Sequence, residues 1–309
     1  MIRVTNNMVF DSITSQLNKQ QGRLAATQEK ITTGRNFIKP SDAPDQVAAL
    51  DRLESSVRRT ERYVQNLADI NNKLELHELA INAIDRDLIR AKQLLVQGSN
   101  GTLGEANRES IAIELQTIYN NMVAVGNWKD AYGSYLFSGA LQDAPPFDLV
   151  KDPLSTGFSD FYGGNDHIQK IAVDEGFHLE VGIPGARLFA GFESSGGGQT
   201  DIFTSLKKAI NALGSNDTAG IGAAIDDVDN ALTHVNIRLN QVGAKMGSAA
   251  TQQSFLDNRS KVLETLISQI EDLDYISAVT ELKNQTLALQ AGQSSFSMIS
   301  SLSLFNYIK

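Results

Sequence analysis

The sequence predicts a mainly α fold: a rod-like bundle of long helices with paired, coiled-coil-like terminal helices and a small β-rich inserted domain. Three observations carry that expectation. Apolar residues recur at steps of three, four and seven over most of the 309 residues, which gathers them on one helix face. The six prolines leave residues 45–144 and 185–309 proline-free, and proline is the residue that helix interiors exclude most strongly. Between those windows, the stretch from about 139 to 199 holds four of the six prolines and an alternating strand pattern.

At the N-terminus, Phe10, Leu17, Leu24 and Ile31 recur every seven residues, with Ile13 at the matching intermediate position and Gln20 and Thr27 diluting the stripe. At the C-terminus, Val279, Leu282, Thr286, Leu289, Gln293 and Phe296 alternate steps of three and four. Isolated helices of this quality are marginal in water without tertiary packing. The two ends are therefore expected to pack on each other or on copies of themselves. The candidate assembly interface is Phe10, Ile13, Leu17, Leu24, Ile31, Val279, Leu282, Leu289 and Phe296.

In the first proline-free window, Ile70, Leu74, His77, Ile81, Ile84, Leu88, Ala91 and Leu95 form an a/d pattern. Gly98-Ser99-Asn100-Gly101 ends it with turn chemistry. A second stripe runs Ile111, Leu115, Ile118, Met122, Val125, Lys129, Tyr132, Leu136. Two helices joined by a short turn make an antiparallel hairpin.

In the last window, Val228, Val235, Val242, Ala249, Leu256, Leu263 and Ile270 hold one heptad position. Ile225, Leu232, Leu239, Met246 and Ile267 hold the other, interrupted by Gln253 and Ser260. Asp226-Asp227-Val228-Asp229 reads as the acidic opening of this helix, where carboxylates meet the positive end of the dipole. A single helix from about 223 to 290 would be roughly 100 Å long, which implies a bundle or rod. The phase slips at Glu271-Asp272-Leu273-Asp274, a boundary between two packing environments on one helix.

In the middle, Phe177, Leu179, Val181 and Ile183 alternate with polar residues and glycine, the pattern of a half-buried strand. Ile171 and Val173 suggest a preceding strand, with Asp174-Glu175-Gly176 as the turn. Gly196-Gly197-Gly198 reads as a flexible exit to a short helix carrying Phe203, Leu206, Ile210 and Leu213. Three domains follow: a terminal helical polymerisation domain (1–42 with 273–309), a central helical rod (43–138 with 200–272) and the β-rich insertion (139–199). The insertion is expected to be an exposed, dispensable module.

With 7% aromatic residues and one tryptophan, a large aromatic core is not expected to be the main source of stability. A net charge of -9 and an isoelectric point near 5.0 argue against a nucleic-acid surface, which needs clustered Lys and Arg, and against adsorption to anionic membranes. The absence of cysteine excludes disulfides and thiolate metal sites. The first residues lack the apolar run of a secretory signal, so no cleavable signal peptide is expected, and no segment is apolar enough to span a bilayer.

No catalytic, cofactor-binding or metal-binding residues are identified. His77, His167, His178 and His234 fit no metal spacing: His77 sits on a helical stripe as a core-flanking imidazole, and His178 on the polar face of a strand. Gly196–Gly198 lacks the lysine and spacing of a phosphate loop, and no serine lies in GxSxG. Four Asn-x-Ser/Thr sequons, at Asn100, Asn216, Asn258 and Asn284, are short enough to be chance matches.

The order of short motifs resembles a known family. Ile31-Thr32-Thr33-Gly34-Arg35 with Pro40-Ser41-Asp42-Ala43-Pro44 looks like an STGKR…PSDDP signature, with Ala43 where the family often has a second aspartate. Asn100-Gly101-Thr102-Leu103 and Tyr135-Leu136-Phe137-Ser138-Gly139 match NGTL and YLFSG. Ile270 to Tyr275 is similar to a segment shared with flagellins, and Ser303-Leu304-Phe305-Asn306-Tyr307-Ile308 looks like the SLFDYL terminus. These carry a resemblance to the bacterial flagellin-like axial proteins, within them the hook-associated protein three family of the hook–filament junction. The β-rich insertion is the least matched part.

The resemblance implies a non-enzymatic structural protein of bacterial motility, self-assembling as an adaptor ring between hook-associated proteins and the flagellin filament. It implies as partners copies of the same chain, a neighbouring hook-associated protein on the hook side, flagellin on the filament side and a dedicated export chaperone, with neither nucleic acid nor membrane. The chain would be secreted by the flagellar type III apparatus to the extracellular flagellum, and Leu282, Leu289 and Phe296 would serve chaperone binding and export. The alternatives are flagellin itself or a surface enzyme housed in the insertion. Flagellins typically read NSAxDDAAG where this chain has Pro40 to Pro44, which favours the junction family.

Overall fold

The computed structural model describes the backbone of residues 2–141 and 143–305 and the side chains of 8, 10–141 and 143–298. It is mainly helical, with two short antiparallel strand pairs in the middle of the chain. The chain divides into two compact units, residues 1–59 with 258–309 and residues 60–257. Two long helices, α2 (Pro44–Gly98) and α8 (Thr218–Glu271), contribute to both.

In the larger unit, α2 and α3 (Glu105–Gly126) form the expected hairpin. Every member of the α2 stripe from Ile70 to Leu95 is buried. The α8 heptad Val228, Val235, Val242, Ala249 and Leu256 is buried in the same core. Ion and hydrogen-bond pairs fix the register between these helices: Lys92 to Asp229 at 2.6 Å and Asn236 to Asp85 at 3.2 Å.

The second hairpin helix is shorter than its stripe. α3 stops at Gly126, and Lys129, Tyr132 and Leu136 belong to a tight turn in which Lys129 bridges Tyr135. Asp130 Oδ1 accepts from the Tyr132 and Ser134 amides, both at 2.9 Å, and Gly133 takes a φ of 83°. An aspartate that bonds the backbone two residues on competes directly with a helix. The Asp130…Gly133 spacing was the available signal.

The middle segment contains short helices α4 (Pro153–Thr156), α5 (Phe158–Phe161) and α6 (Gly185–Phe189), and strands β1 (Gln169–Asp174), β2 (Phe177–Val181), β3 (Ala190–Glu193) and β4 (Gln199–Asp201). β1 and β2 pair around the expected turn, although Phe177 is exposed while Leu179 and Val181 are buried. The pair β3–β4 was not expected, and it changes the role of Gly196–Gly198. Gly197 and Gly198 hold φ values of 83° and 85° in the hairpin turn, and the Ser194 amide donates to the Gly198 carbonyl at 2.9 Å. Asp227 does not open a helix. α8 begins at Thr218, its first amides accepted by Asp217, and buried Asp227 receives the Ser195 amide at 2.6 Å.

The insertion is not a separate exposed module. Phe147, Phe161 and Phe189 are fully buried with Phe137 and Phe203. The Phe147 ring lies 4.9 Å from Phe189 and 5.0 Å from Phe203 of α7 (Ile202–Gly214), and Tyr119 of α3 meets Phe203 at 5.8 Å. At Gly126 a side chain would start 2.7 Å from the Phe147 ring, so glycine admits the aromatic ring there. The aromatic residues are few but concentrated, and such ring pairs contribute beyond their buried area. The expectation of a core without a large aromatic part is corrected accordingly.

His77 is buried in this core, 5.2 Å from the Phe137 ring. Its Nδ1 lies 2.8 Å from the Lys73 carbonyl and its Nε2 3.2 Å from that of Leu136. His178 is exposed. Burial holds the His77 pKa below its ordinary value, against the raising effect of the two carbonyls; His234 is lowered in the same sense. A histidine depressed in the folded state binds its proton preferentially when unfolded. The larger unit is therefore expected to keep full stability above the ordinary histidine pKa and to lose it as pH falls from about 6.5 toward the folded value. Thermal midpoints between about pH 7 and 5 should fall less steeply in His77→Gln than in the native chain. Equal slopes would remove His77 as the cause.

Candidate assembly interface

The smaller unit contains α1 (Ile2–Thr33) and α9 (Tyr275–Phe305). They pair antiparallel within one chain, the first of the two packings that the stripes allow. Phe10 and Phe296 meet at a tilted angle, with ring centroids 4.7 Å apart. Ile13, Leu17, Leu24, Ile31, Leu282, Leu289 and Phe296 are half-buried, and Phe10 keeps 45% of its surface exposed. A groove of about 280 Å³ runs between Ile13, Leu17 and Gln20 on α1 and Ala288, Gly292 and Ser295 on α9.

The packed row on α9 is Ala278, Leu282, Gln285, Leu289, Gly292 and Phe296. It shares Leu282, Leu289 and Phe296 with the sequence stripe, whose Thr286 is also half-buried, and takes up Ala278, Gln285 and Gly292 in addition. Val279 is 39% exposed and Gln293 is exposed. The missed positions are small or polar: a side chain at Gly292 would start 3.0 Å from Leu17, so glycine permits close approach. Thr27 and Gln285 are buried where hydrophobic residues were sought. Gln285 Nε2 donates to Glu281 at 2.8 Å, while its Oε1 is buried without a hydrogen-bond partner among the described residues.

The two family signatures meet where the pair closes. α8 ends at Glu271 and α9 starts at Tyr275, so one continuous helix to about 290 is corrected to two helices with a break at the phase slip. Gly34 ends α1 in the left-handed conformation, φ 72°. Its carbonyl accepts from Leu273 N–H at 2.9 Å, and Asn36 N–H donates to the Glu271 carbonyl at 2.8 Å. Arg35 Nε pairs with Glu271 at 3.0 Å. Asp274 caps α9, accepting from the Ile276 amide at 3.0 Å, the Ser277 amide at 3.2 Å and the Ser277 hydroxyl at 2.7 Å. These bonds, the Ser277 hydroxyl first, hold its carboxyl below the usual range.

The neighbouring loop needs no second aspartate at Ala43: Asp42 Oδ2 receives the Lys39 amide at 3.1 Å, and the Ala43 carbonyl receives Val47 N–H at 3.0 Å. The contacts of the Ser303 to Ile308 motif lie outside the described residues. Gly34→Ala is expected to destabilise the smaller unit by about 1 kcal/mol through the left-handed backbone alone. The new Cβ would also stand 2.9 Å from the Tyr275 hydroxyl, adding to that loss. Amide exchange at Leu273 and Asn36 should accelerate, and unchanged exchange would show that this clasp is not rate-determining for opening.

Among the described residues no group of three or more potential metal ligands occurs and no helix is long and apolar enough to cross a membrane. The features that define this chain are its paired end helices and their clasp. Models of the bacterial flagellin N-terminal and C-terminal helical regions match residues 4–142 and 225–308. The chain belongs to the flagellin-like family of flagellar axial proteins.

Within that family its similarity extends over the full length of the hook-associated members. It is 26% identical over 321 aligned positions to flagellar hook-associated protein 3 of Salmonella typhimurium, covering 98% of this chain and 99% of the relative. Flagellin 1 of Proteus mirabilis is 24% identical, with 86% of this chain and 74% of the relative covered. A putative flagellar hook-associated protein of Vibrio parahaemolyticus shares the fold at a TM-score of 0.66 and 17% identity, over 75% of this chain and 100% of that structure.

Proposed function

We propose that this chain is a structural subunit of the bacterial flagellum that works at the hook–filament junction, and that it is not an enzyme. The observation that carries the reading is end-to-end similarity to a hook-associated protein, joined to a terminal helix pair whose apolar faces are only half covered. The assembly surface is Phe10, Ile13, Leu17, Leu24, Ile31, Val279, Leu282, Leu289 and Phe296, and copies of the chain form an adaptor layer with a hook-associated protein on one side and flagellin on the other. Of the two compact units, the smaller polymerises and the larger forms the stable body of the subunit. Flagellin is the weaker reading: Flagellin 1 of Proteus mirabilis aligns over 74% of its length, and Flagellin A of Vibrio cholerae, although aligned over 95% of its length, is only 20% identical. Seeded assembly separates the two. A junction subunit adds a limited layer to hook-associated seeds and stops, whereas continued growth into filaments would assign the chain to flagellin.

Export supplies a second partner for the same helix. Leu282, Leu289 and Phe296 lie against α1 in the folded chain, and a dedicated chaperone would occupy this face before secretion, as an amphipathic helix fills a groove. Chaperone binding and α1–α9 pairing would then be mutually exclusive. Titration of a 270–309 peptide against the cognate chaperone should show a large loss of affinity in Leu289→Asp. An undiminished affinity would separate the chaperone face from the pairing face.

A further inference from the structure

The turn between α2 and α3 holds the one Asn-Gly step in the sequence, Asn100-Gly101. Both residues are exposed, and the space where a Gly101 side chain would start is open. Leu103 N–H donates to the Asn100 main-chain carbonyl at 3.0 Å, closing the turn. Inside it, the Asn100 side-chain Oδ1 accepts from the Thr102 amide at 3.1 Å and the Thr102 hydroxyl at 2.9 Å. Two donors aimed at one carbonyl oxygen stabilise negative charge that develops there. The Gly101 nitrogen is tethered next to the same carbonyl carbon, an intramolecular nucleophile held close.

Arg108 lies behind this turn with 3% of its surface exposed. Its Nη2 donates to the Asn100 main-chain carbonyl at 2.9 Å, its Nε to the Gly98 carbonyl at 2.8 Å, and its Nη1 to Asn216 Oδ1. All three acceptors are neutral amide oxygens, so this buried cation is hydrogen-bonded but has no carboxylate among these partners. A carboxylate at the same place would add Coulomb attraction to hydrogen bonds that so far carry charge on the donor alone.

We propose that Asn100 is a site of spontaneous deamidation and that Arg108 directs its product to isoaspartate. The Gly101 nitrogen gives its proton to solvent and bonds to Asn100 Cγ, the Cγ–Nδ2 bond breaks, and ammonia leaves. This yields a cyclic imide with two carbonyls. Water adding at Cγ breaks the new bond and gives ordinary aspartate. Water adding at the main-chain carbonyl carbon breaks its bond to the Gly101 nitrogen. The chain then runs through Cγ, and the former main-chain carbonyl becomes a free carboxylate. The net change is one water consumed and one ammonia released, with no oxidant or reductant.

Arg108 sets the choice because its guanidinium already holds the oxygen that becomes the carboxylate. It draws electrons from the main-chain carbonyl carbon, favouring addition there, and it gains an anionic partner in the product. The modified turn therefore stays fastened through Arg108 to Asn216, between α7 and α8.

The test is incubation of the folded full-length chain at neutral to mildly alkaline pH, with peptide mapping by mass spectrometry and enzymatic methylation of isoaspartyl groups. Asn100 should convert ahead of the other asparagines, and its isoaspartyl share should be higher in the folded chain than in the same chain held in denaturant. Thr102→Val, at an exposed position, should slow conversion with the helical spectrum unchanged. Arg108→Lys should shift the product toward aspartate; if that variant does not fold, the comparison of folded and denatured native chain gives the same reading. Asn100 remaining intact while other asparagines convert would overturn the proposal, as would an identical product ratio in the folded and denatured chains.

Discussion

Replacing residues 145–190 with a short Gly/Ser linker should abolish the cooperative unfolding transition of the larger unit. The excised segment supplies Phe147, Phe161, Leu188 and Phe189, all buried to within 1% of completely. Truncating a buried phenylalanine to alanine costs about 3–5 kcal/mol. Three such losses exceed the total stability of about 5–15 kcal/mol typical of a native domain, or consume most of it. The residues left behind fare no better. Phe137, Phe203 and Tyr119 would face water, and the Arg187 carbonyl that receives His234 Nε2 at 2.9 Å would be gone. Circular dichroism through a thermal ramp decides the matter: a linker variant that melts sharply near the native midpoint would return the segment to the status of an exposed module. Phe147→Ala is the milder version, with a transition that survives at a midpoint lowered by several degrees.

The reversal of that expectation shows where the sequence was informative. The a/d rows of α2 and α8 were legible because most of their positions hold large apolar side chains that gain from burial, and the stretches Ile70 to Leu95 and Val228 to Leu256 became the core of the larger unit. The hairpin turn and the β1–β2 strand pair were legible from turn chemistry and alternation. What could not be read was long-range. Phe147, Phe161 and Phe189 carry no period, and nothing local relates them to Phe137 or Phe203. Asp227 looks like a helix-opening acid until the amide it receives, 32 residues away, is known. Periodicity reports a face; it does not report which loop comes back to cover it.

The same limit applies at the candidate interface. Leu282, Leu289 and Phe296 were found because large apolar residues announce a packed row. Ala278, Gln285 and Gly292 complete that row while looking like interruptions. At this interface, small residues are placed where helices approach most closely, as at Gly292 beside Leu17. The phase slip at Glu271–Asp274 was visible, but its structural form was not. The turn depends on Gly34, Arg35 and Asn36, more than 230 residues earlier, donating and accepting the bonds that let one helix stop and another begin.

Leu24→Asp should uncouple the two units' fates. Leu17 stands at Gly292, so one heptad further along an antiparallel pair Leu24 stands at the level of Gln285, whose side-chain oxygen already lacks a donor among the described residues. A carboxylate placed there meets an acceptor rather than a donor. Its burial without a partner costs several kcal/mol or drives it to solvent, which opens the pair. Loss of the leucine itself removes a further 1.5–3 kcal/mol or so if the position becomes fully buried on assembly. Neither Leu24 nor its stripe belongs to residues 60–257. The thermal transition of the larger unit should therefore keep its midpoint, while amide protection in α1 and α9 collapses and seeded assembly and motility fail. Leu24→Asn, which can donate to Gln285, should recover part of the protection. A large fall in the larger unit's midpoint would place Leu24 in the monomer's main core instead. Normal motility in the variant would show that assembly does not depend on this face of α1.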